Sequence, residues 1–229
     1  MRYLEQNYNP KHRGCYAILA ITSLVWLLQI FTFKGELATG ENLLKSGALW
    51  GFQIINNPGQ IWRLVTPIFV HLNWSHFLMN MLSVFVMGRL IEEEFGTARF
   101  LEIYFLSGIF ANTMVFFLST STLSAGASTS IFGIFGAMGT LGYYTESPRL
   151  KEIGKSFLVL VILNLLLNIF QPNVSIVGHI GGVLGGALFA GAWPPENYKK
   201  WVPKNTQIIC SLLLLLLFVL FISLTFTRY

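Results

Sequence analysis

The sequence predicts an all-α, polytopic membrane protein, and three observations carry that reading. Of 229 residues, 54% are hydrophobic and only 11% are charged, and the mean hydropathy is +0.61; a soluble core of this size cannot hide so much apolar surface. Apolar runs close to the ~20 helical residues needed to cross the hydrocarbon recur along nearly the whole chain. The basic residues sit in short connections between those runs rather than on one polar face. This argues against a nucleic-acid partner and makes the lipid bilayer the reason for the net charge of +5.

Seven spans follow: Cys15–Phe33, Ser75–Ile91, Ala98–Leu118, Ser128–Tyr144, Gly154–Phe170, Ile176–Trp193 and Thr206–Phe226. The first is longer than a signal-peptide core and no small-x-small cleavage site follows it, so it reads as a retained helix behind a tail over 1–14. Between the first two spans, Trp50, Phe52, Trp62 and Phe69 lie among polar residues, with a turn signal at Asn57-Pro58-Gly59. Tryptophan favours the headgroup zone, so this stretch is expected to lie in or on the outer leaflet as short amphipathic pieces. The seventh span, with its run Leu212–Leu217 and no polar residue at its centre, reads as an added anchor over 206–229 behind a linker over 194–205.

Positive charge in loops marks the cytoplasmic face. If the N-terminal tail defines one side, that side collects eleven of the Lys and Arg residues, and the other receives Lys34, Lys45, Arg63 and Arg228. The N-terminus is then cytoplasmic. The same topology places His71, His76, His179 and Ser128 together on the external half, while His12 falls in the cytoplasmic tail.

Polar and ionisable groups at membrane depth are costly, which makes their positions the first place to seek chemistry. Ser128, Phe132, Gly136 and Gly139 share one face of the fourth span, and His179, Gly182, Gly186 and Ala190 share one face of the sixth. Stripes of small residues let two backbones approach closely in lipid, which could bring the hydroxyl and the imidazole within hydrogen-bond reach. A serine needs such a neighbour, because its own hydroxyl is a weak nucleophile near neutral pH. The stretch 119–127 before Ser128 is a poor lipid-facing helix, and irregular backbone at depth survives only against protein or water. From Ser128 to Tyr144 a helix covers only about 24 Å at 1.5 Å per residue, so the serine can sit beneath the membrane surface in a wet pocket.

The ten acidic residues are all glutamates. A paired-aspartate mechanism is therefore impossible, and a Ser-His-Asp triad lacks its third member. HExxH is absent, Cys15 and Cys210 belong to no CxxC motif, and neither a disulfide, a metal nor a cofactor is indicated, although three external histidines leave a zinc site formally open. The cluster Glu92–Glu94 with Arg89 and Arg99 reads as a solvated cytoplasmic face. Asn164 and Asn168, one turn apart in the fifth span, could bond neighbours or contact substrate, and packing is the favoured reading.

Trp62-Arg63, His71-Leu-Asn-Trp-Ser-His76-Phe-Leu-Met-Asn80-Met, Gly126-Ala-Ser128 and Gly178-His179-Ile-Gly-Gly182, in this order, resemble the rhomboid intramembrane serine proteases from about Trp62 to Ala190. The resemblance implies a six-helix catalytic core over 15–193, with the seventh helix appended. It implies Ser128 as nucleophile, His179 as general base, and His76 and Asn80 with the Ser128 backbone amide, beside Gly126, as oxyanion-stabilising donors. Phe132 takes the place of an aromatic that packs on the base, and His71 and Glu92 match a further family histidine and a structural carboxylate. Gly182 and Gly186 support the close helix approach. Substrates would be transmembrane proteins, cut near the external face of a bacterial plasma membrane. The family usually follows the serine with glycine. Here Thr129 could crowd the oxyanion region, and Ser130 offers a second hydroxyl, about 200° round the helix. The rival readings are a silent relative that binds transmembrane segments without cutting them, and a solute transporter, which would show paired half-helices.

Overall fold

The computed structural model of the protein describes residues 12–169 and 174–229. Most of the expected tail (1–11), and Phe170 at the end of the fifth expected span, lie outside the described residues. Helix α1 is Arg13–Phe33, α2 Gly40–Ser46 and α3 Gly51–Asn56; two 3-10 segments, Pro58–Leu64 and Thr66–Phe69, lead into α4, Trp74–Ser83. A π turn, Val84–Gly88, joins α4 without a break to α5, Arg89–Phe95. Then come α6 Thr97–Leu118, α7 Ser128–Tyr144, α8 Pro148–Asn168, α9 Ile176–Ala192 and α10 Lys204–Arg228. Among the described residues, strand pairing is confined to one bridge between Leu49 and Ser124.

By length and composition, α1, α6 and α10 are each long and apolar enough to cross a membrane. Helices α7 and α9, at 17 residues each, reach only about 25 Å at 1.5 Å per residue. Helix α8 opens with Arg149, Lys151, Glu152 and Lys155, so its apolar part is also short.

Helices α6, α7 and α9 form the centre. With lipid on the outside, two helices gain no hydrophobic energy by meeting, so they must gain it from close packing. Glycine makes this possible: a Cβ at Gly186 of α9 would overlap the Gly133 backbone of α7, one at Gly182 would overlap the Thr129 carbonyl, and one at Gly136 would overlap that of Val183. The expected α7 stripe is therefore divided. Gly136 faces α9, Gly139 faces Leu158 of α8, and Gly133, outside that stripe, makes the closest approach. On the other side of α7, Gly133 abuts Ser107 and Ser130 abuts Gly108 of α6. Helix α8 packs on α7 through Gly142 and Gly154, and α10 lies against α9 and α6.

The segment between α1 and α4 forms short helices, held down by buried polar contacts. The Arg63 guanidinium donates to the carbonyls of Leu44 and Ala48, both at 2.9 Å, and lies over the Trp62 ring. Leu49 and Ser124 exchange backbone hydrogen bonds of 2.8 Å, and Gly51 N donates to Thr120 O at 3.0 Å. The irregular stretch before α7 is thus seated on protein, which satisfies its backbone at depth.

At the opposite end of the bundle the glutamates depart from the expected solvated cluster. Glu92 is buried and accepts from Gly14 N at 2.8 Å, Cys15 N at 2.7 Å and Thr97 Oγ1 at 2.6 Å. The first amides of a helix have no partner within it, and α1 has no side-chain cap of its own; a carboxylate there also meets the positive end of the helix dipole. Glu93 pairs with His12 at 2.7 Å. Glu94 accepts from the Tyr198 hydroxyl at 2.9 Å, and burial followed by Glu94 itself pushes that phenol's pKa up, so it stays a donor. Arg99 pairs instead with Glu102.

Replacing Glu92 with alanine leaves buried amides at the start of α1 unpaired, at a cost of about 1–3 kcal/mol. The melting temperature of Glu92→Ala in detergent is expected to drop by several degrees, and that of Glu92→Gln by less. An alanine variant that melts with the wild type contradicts this role.

Candidate active site

Ser128 opens α7 and His179 lies in the first turn of α9, so the glycine contact one turn further along both helices sets their separation. His179 Nε2 is 2.9 Å from Ser128 Oγ. The imidazole is buried and stacks on Phe132 with ring centres 4.1 Å apart and planes 10° from parallel. Ser175 fixes the start of α9: its hydroxyl accepts from Gly178 N at 3.1 Å and its carbonyl from His179 N at 3.0 Å.

Beside the serine, Gly126 adopts φ +130°, a conformation that side chains rarely tolerate, and donates its N–H to Pro67 O at 2.8 Å. A Cβ here would lie 2.6 Å from His76 Cε1 and 3.6 Å from Asn80 Nδ2. The glycine therefore leaves a small space bounded by the His76 ring and the Asn80 amide. Asn73 caps α4 by accepting from His76 N at 2.9 Å, which sets the turn that carries His76 and, four residues on, Asn80. Asn80 Nδ2 is buried and has no partner. A buried donor left unpaired is costly, and such an atom beside a reactive hydroxyl is suited to receive charge that develops there. Ala127 precedes α7 as its N-cap and offers no side-chain cap, so the first amides of the helix remain available to the same space.

His71 stands behind His76, with ring centres 5.1 Å apart. It is held by Gln29 of α1, whose side chain accepts from His71 N at 3.2 Å and donates to its carbonyl at 3.3 Å. Burial, followed by His76, pushes the His71 pKa down to about 3. The ring is neutral; its Nδ1–H donates to Phe69 O at 3.2 Å, which leaves Nε2 as a buried acceptor without a partner. Among the described residues, no group of three His, Cys, Asp or Glu side chains is placed to hold a metal.

The residues after the serine point away from this space. The Thr129 methyl group rests against Gly178 of α9, while Ser130 faces Gly108 and Ile68 on the α6 side, away from His179. Both are buried, so Ser130 presents no open hydroxyl.

Two polar residues to which the sequence reading assigned no part in the site also join it. One is Gln29, a lone amide within an apolar span, a type of position that is itself a signal of a buried partner. The other is Asn168, expected to pack: it is buried, and its Nδ2 lies 2.7 Å from His179 Nδ1. Asn164 departs from the packing expectation as well: it is exposed and donates to Leu160 O of its own helix at 2.9 Å. Both asparagines carry the same local signal, and only the position of the last α8 turn against α9 separates them.

The Rhomboid domain model matches residues 58–194, more than half of the chain. The chain is 33% identical over 184 residues to rhomboid protease GluP of Bacillus subtilis (strain 168), covering 80% of this chain and 35% of that protein. It is 34% identical over 148 residues to rhomboid-like protease 3 of Toxoplasma gondii, covering 62% of this chain and 56% of that protein. With rhomboid-like protease 1 of the same organism the identity is 29% over 231 residues, covering 94% of this chain and 77% of that protein. The chain thus spans only about a third of GluP and about half of the second relative. The domain match, which includes Ser128, His179, His76 and Asn80, identifies the chain as an integral membrane protein of the rhomboid family.

Proposed function

We propose that the chain is an intramembrane serine endopeptidase that cuts transmembrane proteins through a Ser128–His179 dyad and an acyl-enzyme. The observation that carries this reading is the 2.9 Å approach of His179 Nε2 to Ser128 Oγ beside the unpartnered Asn80 amide. His179 Nε2 takes the proton of Ser128 as Oγ attacks the scissile carbonyl carbon, and the carbonyl oxygen becomes an oxyanion. That oxygen enters the space beside Gly126, where the His76 ring N–H, Asn80 Nδ2 and the Ser128 amide donate to it. The imidazolium returns its proton to the leaving amine, and the acyl group stays on Ser128. Water, deprotonated by His179, then hydrolyses the ester.

The substrate enters from the lipid between α4 and α8. These helices form no packed interface, and each turns apolar residues outward, Leu78, Met79 and Leu82 on one and Leu163, Leu166 and Leu167 on the other. In this reading the chain has seven spans, six of them a catalytic core with α10 appended, the site faces the external side and the N-terminus lies in the cytoplasm. A bacterial plasma membrane is the setting we propose.

Purified protein in liposomes is expected to cut a single-span test substrate, and Ser128→Ala and His179→Ala are each expected to lower kcat by at least about 10³-fold. Undiminished cutting by both variants contradicts the assignment. Wild-type protein that retains the substrate without cutting it supports the silent-relative reading instead. Asn80→Ala is expected to lower kcat by about 10²-fold while KM stays within about twofold, because its amide acts on the transition state. A change in KM alone would make Asn80 a packing residue.

A further inference from the structure

The dyad reading leaves the far side of the base unexplained. A neutral imidazole carries one proton, and a general base toward Ser128 must carry it on Nδ1, so that Nε2 is free to accept. Something must hold it there. In triads a carboxylate does so, but this chain has no aspartate, and its described glutamates with long-range partners cluster at the opposite end.

Asn168 occupies that position. It lies on the last turn of α8, buried among outward-facing Leu166, Leu167 and Ile169, and its amide meets His179 Nδ1 at 2.7 Å. Ser128, His179 and Asn168 thus form a continuous line, with Phe132 closing the face of the ring. Because α8 touches α9 only thinly, the pairing also fixes the end of α8 against the site.

We propose that Asn168 is the positioning residue of the base: its side-chain carbonyl accepts the Nδ1–H of His179 and holds the tautomer whose Nε2 can take the Ser128 proton. This rests on the reading of Ser128 and His179 as nucleophile and base. In the structure the end of the amide nearest Nδ1 is Nδ2, which would require Nδ1 to accept and would leave the ring proton on Nε2, pointing at Ser128. A half-turn of the amide brings Oδ1 to the same place with almost no change in shape, and only that orientation suits a general base.

The test uses full-length protein with ¹⁵N-labelled histidine, the His179 signals being assigned by their loss in His179→Ala. The wild type is expected to show a protonated Nδ1 and a bare Nε2; Asn168→Leu should shift the proton to Nε2, and Asn168→Asp, which keeps an acceptor, should hold it on Nδ1. In turnover, Asn168→Leu is expected to lose at least about tenfold in kcat with KM within about twofold, and Asn168→Asp to restore most of that loss. A wild-type spectrum with the proton on Nε2, or a leucine variant with full kcat, overturns the proposal. A residue serving only to tie α8 to α9 would change melting temperature while leaving the nitrogen signature and the kcat–KM split alone. The spectrum needs no turnover, so a wild type that neither cuts nor labels at Ser128 would count against the dyad while the tautomer is still tested.

Discussion

The contact between α7 and α9 is the constraint on which the rest depends. Helices in lipid come together only where their surfaces allow it, and here Gly133, Gly136, Gly182 and Gly186 let two backbones touch. Ser128 and His179 are 51 residues apart in the chain; neither has any local means of finding the other. Each is carried into place by the turn that precedes this contact, and a methyl group at Gly186 would push directly on the opposing backbone. Phe132 then uses the same approach to cover the imidazole face.

Around this contact, buried polar groups fall into two kinds. Glu92, Arg63 and Gln29 are paired with backbone groups, and each ties a separate segment to the bundle: the start of α1, the outer short helices and the loop bearing His71. Asn80 Nδ2, next to Gly126, and His71 Nε2, on the ring behind His76, are buried without partners. Groups of the first kind offset their burial by their bonds. Groups of the second kind are held in place only by the rest of the fold; for the Asn80 donor, that is the condition for acting when charge develops.

Much of this was legible in the sequence, and the limits have physical causes. The long apolar runs located the helices, because a bilayer imposes length and hydrophobicity on any stretch that crosses it. The run Ser75–Ile91 was visible, but the π turn Val84–Gly88 within it was not, since a widened turn leaves the apolar pattern almost unchanged. Helical spacing put Gly136 and Gly139 on one face, yet spacing says nothing about which neighbour each part of a face meets; one touches α9 and the other α8. The family motifs drew attention to His76, Asn80, Gly126, Ser128 and His179, whereas Asn168 lies outside any motif and matters through the geometry of a helix end. Glu92 looked solvated among charged neighbours because a local charge run carries no information about the unpaired amides of a helix 77 residues away.

The most direct measurement of the central claim is serine-dependent alkylation. Ser128 Oγ adds to the carbonyl of a peptidyl chloromethyl ketone as a reversible hemiketal, and the histidine beside it then displaces chloride to form a permanent bond, so the serine speeds the alkylation only where the two residues share a site. After incubation in liposomes and digestion, peptide mass spectrometry should find the alkyl group on His179 in the wild type and little of it in Ser128→Ala. Alkylation of His179 that is undiminished in Ser128→Ala, or that falls on other residues and spares His179, would show that the two do not meet as the α7–α9 contact requires.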